Sequence, residues 1–312
     1  MGSCFADRIG DLLHGDKFPS MVNPFGTLYN PASILLHLRQ ITTKEEPPTQ
    51  PQWLVLQTTM GWRSWWHHSS FSAETAELLW RQMHHAWQQA RMWLQSTTVL
   101  VVTFGSAWVY RLKSTSPDTQ EEPVVANCHQ QPDHLFHRKR LTVDNIVVPW
   151  SEWLEKLHVR QPNTKVIITV SPIRHKRDGL HENQLSKAIL LLATEQLTQL
   201  PNCTYFPSYE LMMDELRDYR FYADDMVHPS ELATHLIYER FLSAYHAKED
   251  HATLQRCRDI LHRMAHHPFR PEGEDYRQFL LQTLEKIHTL QKEYPSIDWK
   301  KEIQLCNMQL KK

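Results

Sequence analysis

Apolar positions along the chain fall into two kinds of pattern, and each predicts a different element. Residues 97–104 (TTVLVVTF) and 165–171 (KVIITVS) are continuous runs rich in β-branched side chains with polar flanks. Runs of this kind suit strands whose sheet is covered on both faces. Residues 202–208 (NCTYFPS) form a weaker third strand. Elsewhere the apolar period lengthens to that of a helix. Over 73–95, Ala76, Leu79, Met83, Ala86 or Trp87, Ala90 and Leu94 make one stripe. Residues 185–200 read as a largely buried helix, and 229–245 opens with Pro229 and Glu231, residues suited to a first helical turn. Strands alternating with helices across long connections imply a parallel, doubly wound sheet. The expected fold class is therefore α/β, a three-layer arrangement of the flavodoxin-like kind.

Two polar, Pro-containing stretches, 42–52 and 114–123, read as loops. From about 247 the chain is charged and helical, and the amphipathic spacing of 280–294 predicts a helical hairpin packed on the main domain. The expected division is a main domain over 1–246 and a helical C-terminal extension over 247–312.

Composition narrows the function classes. With 34 basic against 35 acidic residues, nothing in the charge favours nucleic acid or an anionic membrane. The five cysteines, at 4, 128, 203, 257 and 306, form no CxxC pair, which is read as reduced thiols in a cytoplasmic setting. No apolar stretch has the length of a membrane span, and the first residues lack the basic and apolar regions of a signal peptide. Met1-Gly2 also fails as a myristoylation motif, because Ala6 stands where Ser or Thr is needed. The paired histidines His67-His68, His84-His85 and His266-His267 lack the i, i+4 spacing of a helical metal site, so no metal or cofactor is expected.

Three segments carry candidate chemistry. GSCFADRIG (2–10) places a hydroxyl, Ser3, and a thiol, Cys4, at the mouth of a predicted helix. There the helix N-terminus and free backbone N–H groups are expected to stabilise an anionic nucleophile. ADDMVHPSE (223–231) holds Asp225 three residues before His228, the spacing at which a carboxylate can orient an imidazole acting as general base. Asp224 is read as a capping or solvated neighbour. TFGSAWVY (103–110) ends a strand in a glycine turn, where ligand sites of open parallel sheets lie. Arg174 and His175 follow another buried strand. They are expected at the site edge, in contact with a substrate anion or, for Arg174, in an ion pair with the acids of DELRD (214–218). Trp62, Trp65 and Trp66 are either a sugar-stacking platform or core packing.

The GSCFA segment is the signature of the GSCFA family, which resembles the SGNH (GDSL-like) hydrolase superfamily. The resemblance runs over most of the chain through VNPFGTLYNP (22–31), WHHSSF (66–71), VVANCH (124–129), TVSPIRH (169–175), DGLHENQLSK (178–187) and YELMMDELRDYRFYADDMVHP (209–229). It implies a nucleophile in the first block at Gly2-Ser3-Cys4, where register favours Cys4 and a one-residue shift gives Ser3. It implies an oxyanion donor at Gly26 through its backbone. The third block matches Gly105 but meets Ala107 where Asn belongs, leaving Asn23, Asn30 or Asn127 to substitute. The fifth block falls on Asp225 and His228. The superfamily's nucleophile follows an interior first strand, so the resemblance also implies a strand ahead of Gly2 whose absence would leave its neighbours unpaired and the site poorly assembled.

The function this implies is ester hydrolysis or O-acyl transfer through an acyl-enzyme, on a small-molecule or carbohydrate ester. A binding or scaffold domain that has kept the fold is the alternative. Neither nucleic acid nor membrane is an expected partner, and oligomeric state is not encoded legibly.

Overall fold

A computed structural model describes residues 1–43, 52–113, 122–266, 268–269 and 272–311. Parts of the expected loops at 42–52 and 114–123, and His267 of the third histidine pair, lie outside the described residues.

The chain is mixed α/β. It opens with helix α1 (Cys4–Gly15) and, after a loop, α2 (Pro31–Thr43), so Thr42 and Thr43 are helical rather than loop. A small antiparallel sheet follows, β1 (Val55–Thr58), β2 (Gly61–Ser64) and β3 (Ser72–Ala73), and then α3 (Ala76–Ser96). Ala73 belongs to β3, and α3 starts after Thr75, whose side chain accepts the Leu78 N–H. Strand β4 (Val99–Phe104) leads into a second antiparallel sheet, in which β5 (Trp108–Leu112) lies between β6 (Val124–Val125) and β7 (Phe136–Arg140). Helix α4 (Val143–Arg160) begins at a capping box of Thr142 and Asn145. Next come β8 (Lys165–Val170), α5 (Leu180–Leu197), β9 (Cys203–Phe206) and the single turn α6 (Ser208–Glu210). Helices α7 (Glu231–Tyr245), α8 (His251–Met264), α9 (Glu274–Glu293) and α10 (Lys300–Leu310) complete the chain.

The three strands expected from apolar runs form one parallel sheet, in the order β4-β8-β9. Val102, Phe104, Ile168 and Val170 are fully buried on it, joined by Leu28, Leu38, Trp150 and Leu190 from the surrounding elements. Burial on this scale, about 25 cal/mol per Å² of apolar surface, is what holds short strands in register. The two antiparallel sheets were not expected from the pattern. Their strands have two to five residues, too few to show a period.

The gap expected beside β4 is partly filled. Gly2 bridges Thr103 in parallel, Thr103 N–H donates to the Met1 carbonyl at 2.9 Å, and Ser3 N–H donates to the Thr103 carbonyl at 3.3 Å. Three residues thus run as a short strand along the carboxyl half of β4. Gly2 is required there: its φ is +148°, and a Cβ would stand 2.2 Å from the Thr103 oxygen.

The chain divides into two compact units, Met1–Ile9 with Met21–Ile237, and Gly10–Ser20 with Tyr238–Lys312. The first contains the three sheets. The second has its own core of Cys257, Ile260, Ile287, Leu290 and Trp299. All five cysteines are free thiols. Among the described residues, no helix is long and apolar enough to cross a membrane.

Candidate active site

The turn after Met1–Ser3 delivers Cys4 to the first position of α1, at the carboxyl end of the parallel sheet. Its Sγ lies 3.7 Å from Nε2 of His228. On the other side of the imidazole, Nδ1 is 2.6 Å from Asp225 Oδ2. The carboxylate is held in turn by its own loop, Oδ1 accepting the N–H groups of Val227 at 2.8 Å and His228 at 3.0 Å. These bonds, first those from the His228 backbone and ring, hold the Asp225 carboxyl far below the usual carboxylate range. Asp225 therefore stays ionised, and its contact with Nδ1 leaves Nε2 to face the thiol.

The 222–230 loop that carries this pair is tightly built. Tyr222 bridges Pro229, Ala223 N–H donates to the His228 carbonyl at 2.9 Å, and Met226 takes a left-handed φ of 60°. The loop is pinned beyond β8, where Arg174 N–H donates to the Val227 carbonyl and Lys176 Nζ to that of Asp225. Asp224 is exposed.

Ser3 does not share this geometry. It is buried, its hydroxyl has no hydrogen-bond partner, and its Cβ lies against Gly105. The structure brings Cys4, not Ser3, to the imidazole.

Burial pushes the Cys4 thiol up, despite the opposing pull of its own and the Phe5 backbone N–H groups at the helix start. The backbone N–H groups at the helix start favour the anion as expected, but burial outweighs them and the thiol form is favoured. The short Met1–Ser3 stretch beside β4 leads into Cys4, whose sulfur lies 3.7 Å from His228.

The oxyanion assignments change too. Gly26 N–H is spent on the Asn23 carbonyl at 2.8 Å, in a turn with φ of +75° at Gly26. Gly105 N–H is spent on the Tyr29 carbonyl at 2.8 Å. Ala107 is buried, with its N–H on Ser186 Oγ. Of the substitutes, Asn23 accepts Gly2 N–H at 2.7 Å and donates to Asp7 at 2.6 Å, while Asn30 caps Ser33 at the start of α2. Asn127 caps the turn at His129, accepting its N–H at 2.8 Å, and no described contact joins it to Cys4. All three side chains are structural braces.

Arg174 lies over the Tyr222 ring at 4.1 Å and donates to its hydroxyl at 2.6 Å. His175 joins the site cluster: its ring meets Tyr29 edge-on at 6.0 Å, and burial followed by the Lys187 charge lowers it to about 4, so it is neutral. Trp65 is buried in a core with Leu54, Leu79 and Met83, against which Trp62 and Trp66 pack. Core packing, not a sugar platform, is their role.

Two neighbours escaped the sequence reading. Lys187 is buried to 1% exposure, with Nζ donating to the Gly105 carbonyl at 2.7 Å and the Ser171 carbonyl at 2.6 Å. It ties the carboxyl ends of β4 and β8 together, and burial lowers its amine to about 7. Tyr29 comes from the 23–30 loop, and burial followed by the Cys4 charge pushes its phenol up to about 12. A lysine on a mostly apolar helix and a tyrosine in a loop carry no spacing that marks them. Among the described residues, no group of His, Cys, Asp and Glu has the arrangement of a metal site.

No curated protein and no solved structure matches the chain. A family model described as GSCFA domain protein, C-terminal domain, matches residues 257–312, and that of the GSCFA family matches residues 1–241. With Gly2-Ser3-Cys4-Phe5-Ala6 at its head, the chain belongs to the GSCFA family.

Proposed function

We propose that this protein cleaves or transfers acyl groups from esters through an acyl thioester on Cys4, within a three-layer SGNH-like fold. One observation carries the reading: the unbroken line of contacts from Cys4 Sγ to His228 and from His228 to an ionised Asp225. Because Cys4 rests as a thiol, attack and deprotonation are coupled. Nε2 of His228 takes the Sγ proton as sulfur bonds to the ester carbonyl carbon, and Asp225 stabilises the imidazolium. The tetrahedral intermediate then breaks its carbon–oxygen bond, and the alkoxide leaves with the proton from Nε2. Water or an acceptor hydroxyl, deprotonated by the same imidazole, attacks the thioester and regenerates the thiol. Hydrolysis and O-acyl transfer differ only in that acceptor. The half-exposed His228 and Asp225 suit a substrate that enters from an open cleft.

The alternative, a fold kept for binding, draws on Ala107 and on the committed amides of Gly26 and Gly105. Mass spectrometry after reaction with p-nitrophenyl acetate and a panel of longer acyl esters separates the two. The enzyme gains one acyl mass on the Cys4 peptide, lost in Cys4→Ala and retained in Ser3→Ala. His228→Ala should abolish turnover with the fold intact; turnover that persists in that variant removes the proposal.

A further inference from the structure

We infer that Lys187 is a positioning residue, whose Nζ clamps the ends of β4 and β8 together and so sets the pairing of Cys4 with His228. The inference rests on the acyl-transfer reading, which gives that pair its chemistry, and deepens it. Nucleophile and base come from different strand ends. Cys4 follows a segment tied to β4, where Gly2 bridges Thr103 and Ser3 N–H donates to the Thr103 carbonyl at 3.3 Å. His228 sits on a loop tied to the chain beyond β8, where Arg174 N–H donates to the Val227 carbonyl at 3.2 Å. The 3.7 Å approach of Sγ to Nε2 therefore depends on how the two strand ends are held to each other.

The sheet itself pairs β4 with β8 as far as Phe104 and Val170, and Ser171 N–H adds a bond to the Phe104 carbonyl at 2.8 Å. Past that point side chains of α5 take over. Asn183, Ser186 and Lys187 stand at i, i+3 and i+4, on one helix face, and are only 5%, 2% and 1% exposed. Polar groups on a buried face are costly unless hydrogen-bonded, and each of these bonds to a strand end. Ser186 Oγ accepts Ala107 N–H at 2.8 Å, and Asn183 Oδ1 accepts His175 N–H at 3.0 Å. Of the three, Lys187 reaches both ends, donating to the Gly105 carbonyl at 2.7 Å and to the Ser171 carbonyl at 2.6 Å. Gly105 lies against the nucleophile's segment, since a Cβ there would stand 3.2 Å from Ser3 Cβ. Ser171 leads through Arg174 to the loop of the base. Burial lowers the amine to about 7, yet a neutral amine still has two N–H bonds, one for each carbonyl, so both forms can hold the clamp.

Lys187→Met keeps most of the side chain's length and removes both donors. In the wild-type background, His228→Ala should slow alkylation of Cys4 by iodoacetamide, because the imidazole takes the thiol proton. In the Lys187→Met background the same change should have little further effect, since sulfur and imidazole no longer meet. This double-mutant comparison separates pairing from stability. A lysine that only supported the fold would leave the dependence on His228 intact in the folded molecules. Turnover of p-nitrophenyl acetate by Lys187→Met should fall about a hundredfold in kcat with KM little changed, the scale of loss that a misplacement of about 1 Å produces. Undiminished dependence on His228 in Lys187→Met overturns the inference, as does a wild type whose alkylation ignores His228→Ala. If the wild type forms no acyl adduct yet the dependence disappears in Lys187→Met, the acyl-transfer reading fails while the clamp stands. Should Lys187→Met not fold, the same comparison in Lys187→Gln decides, because the shorter amide does not span both carbonyls. Weakened dependence on His228 there supports the clamp, and full dependence overturns it.

Discussion

His228 and Asp225 do different work, and their substitution should show it. In the proposed reaction the imidazole moves the proton in both half-reactions, whereas Asp225, ionised and bonded to Nδ1, only fixes its orientation and stabilises its charged form. Asp225→Asn should therefore cost less in kcat than His228→Ala, because an amide still accepts backbone bonds from Val227 and His228. Steady-state rates of the two variants test this, and an equal or larger loss in Asp225→Asn would mean that the carboxyl itself transfers a proton. A second residue-scale effect lies away from the chemistry. His37 is buried, stacked on Phe25 at 4.1 Å, and bonded through Nε2 to the Trp66 carbonyl at 2.8 Å, while Nδ1 has no partner. Burial lowers it from 6.5 to about 4. Between those values the unfolded chain binds a proton that the folded chain refuses, so stability is lost as pH falls from 6.5 towards 4. Full expression of that difference is about 3 kcal/mol. Urea melts of His37→Gln, which keeps a donor for Trp66 and cannot titrate, should lose correspondingly less stability over that window.

At the scale of elements, the segment that places Cys4 depends on Gly2 for close approach. Gly2→Ala would push a methyl into the Thr103 carbonyl and forbid the observed φ, so the short parallel pairing with β4 must open. The expected outcome is a loss of about 3 kcal/mol in denaturant melts, together with slower alkylation-sensitive turnover because Cys4 leaves His228. A variant as stable as the wild type would show that β4 does not hold the nucleophile's segment. Elements of this kind differ in how far the sequence discloses them. The β4, β8 and β9 strands were legible because their apolar runs answer to burial on both faces. The Cys4, Asp225 and His228 cluster was legible because its members sit in short, distinctive blocks. Helices α2 and α4 and the two antiparallel sheets were not singled out, since their patterns are short or broken. Tyr29 was hidden for a different reason: its place is set by hydrogen bonds to Gly105 and Ser106, which are remote in sequence. Asn127, singled out by its residue type, turned out to serve a local turn.

For the whole molecule, the division into units does not follow the chain ends alone. The boundary expected at residue 247 treats everything before it as one domain, but the second unit also takes in 10–20, the latter part of α1 and the turn after it. Within that unit, Asp16 receives Arg258 through both carboxylate oxygens, at 3.0 Å and 2.6 Å for the closest contacts, and the Tyr238 hydroxyl at 2.8 Å. Lys17 pairs with Glu302 at 2.7 Å and lies 5.0 Å from the Trp299 ring centre. These pairs are largely screened from water, so removing one partner strands a charge and costs more than an exposed bridge is worth. A chain ending at residue 246 keeps Asp16 and Lys17 but loses Arg258, Glu302 and Trp299. The last turn of α1 should then fray, and hydrogen exchange over 10–17 should accelerate. Cys4 starts the same helix, so its N-terminal amides would be held by a shorter and less cooperative segment. Arg258→Met in the full chain isolates the first of these ties, with an expected cost of about 1–3 kcal/mol and a partial gain in exchange at 10–17. Protection there that matches the wild type in both proteins would mean that α1 is held by its first half alone.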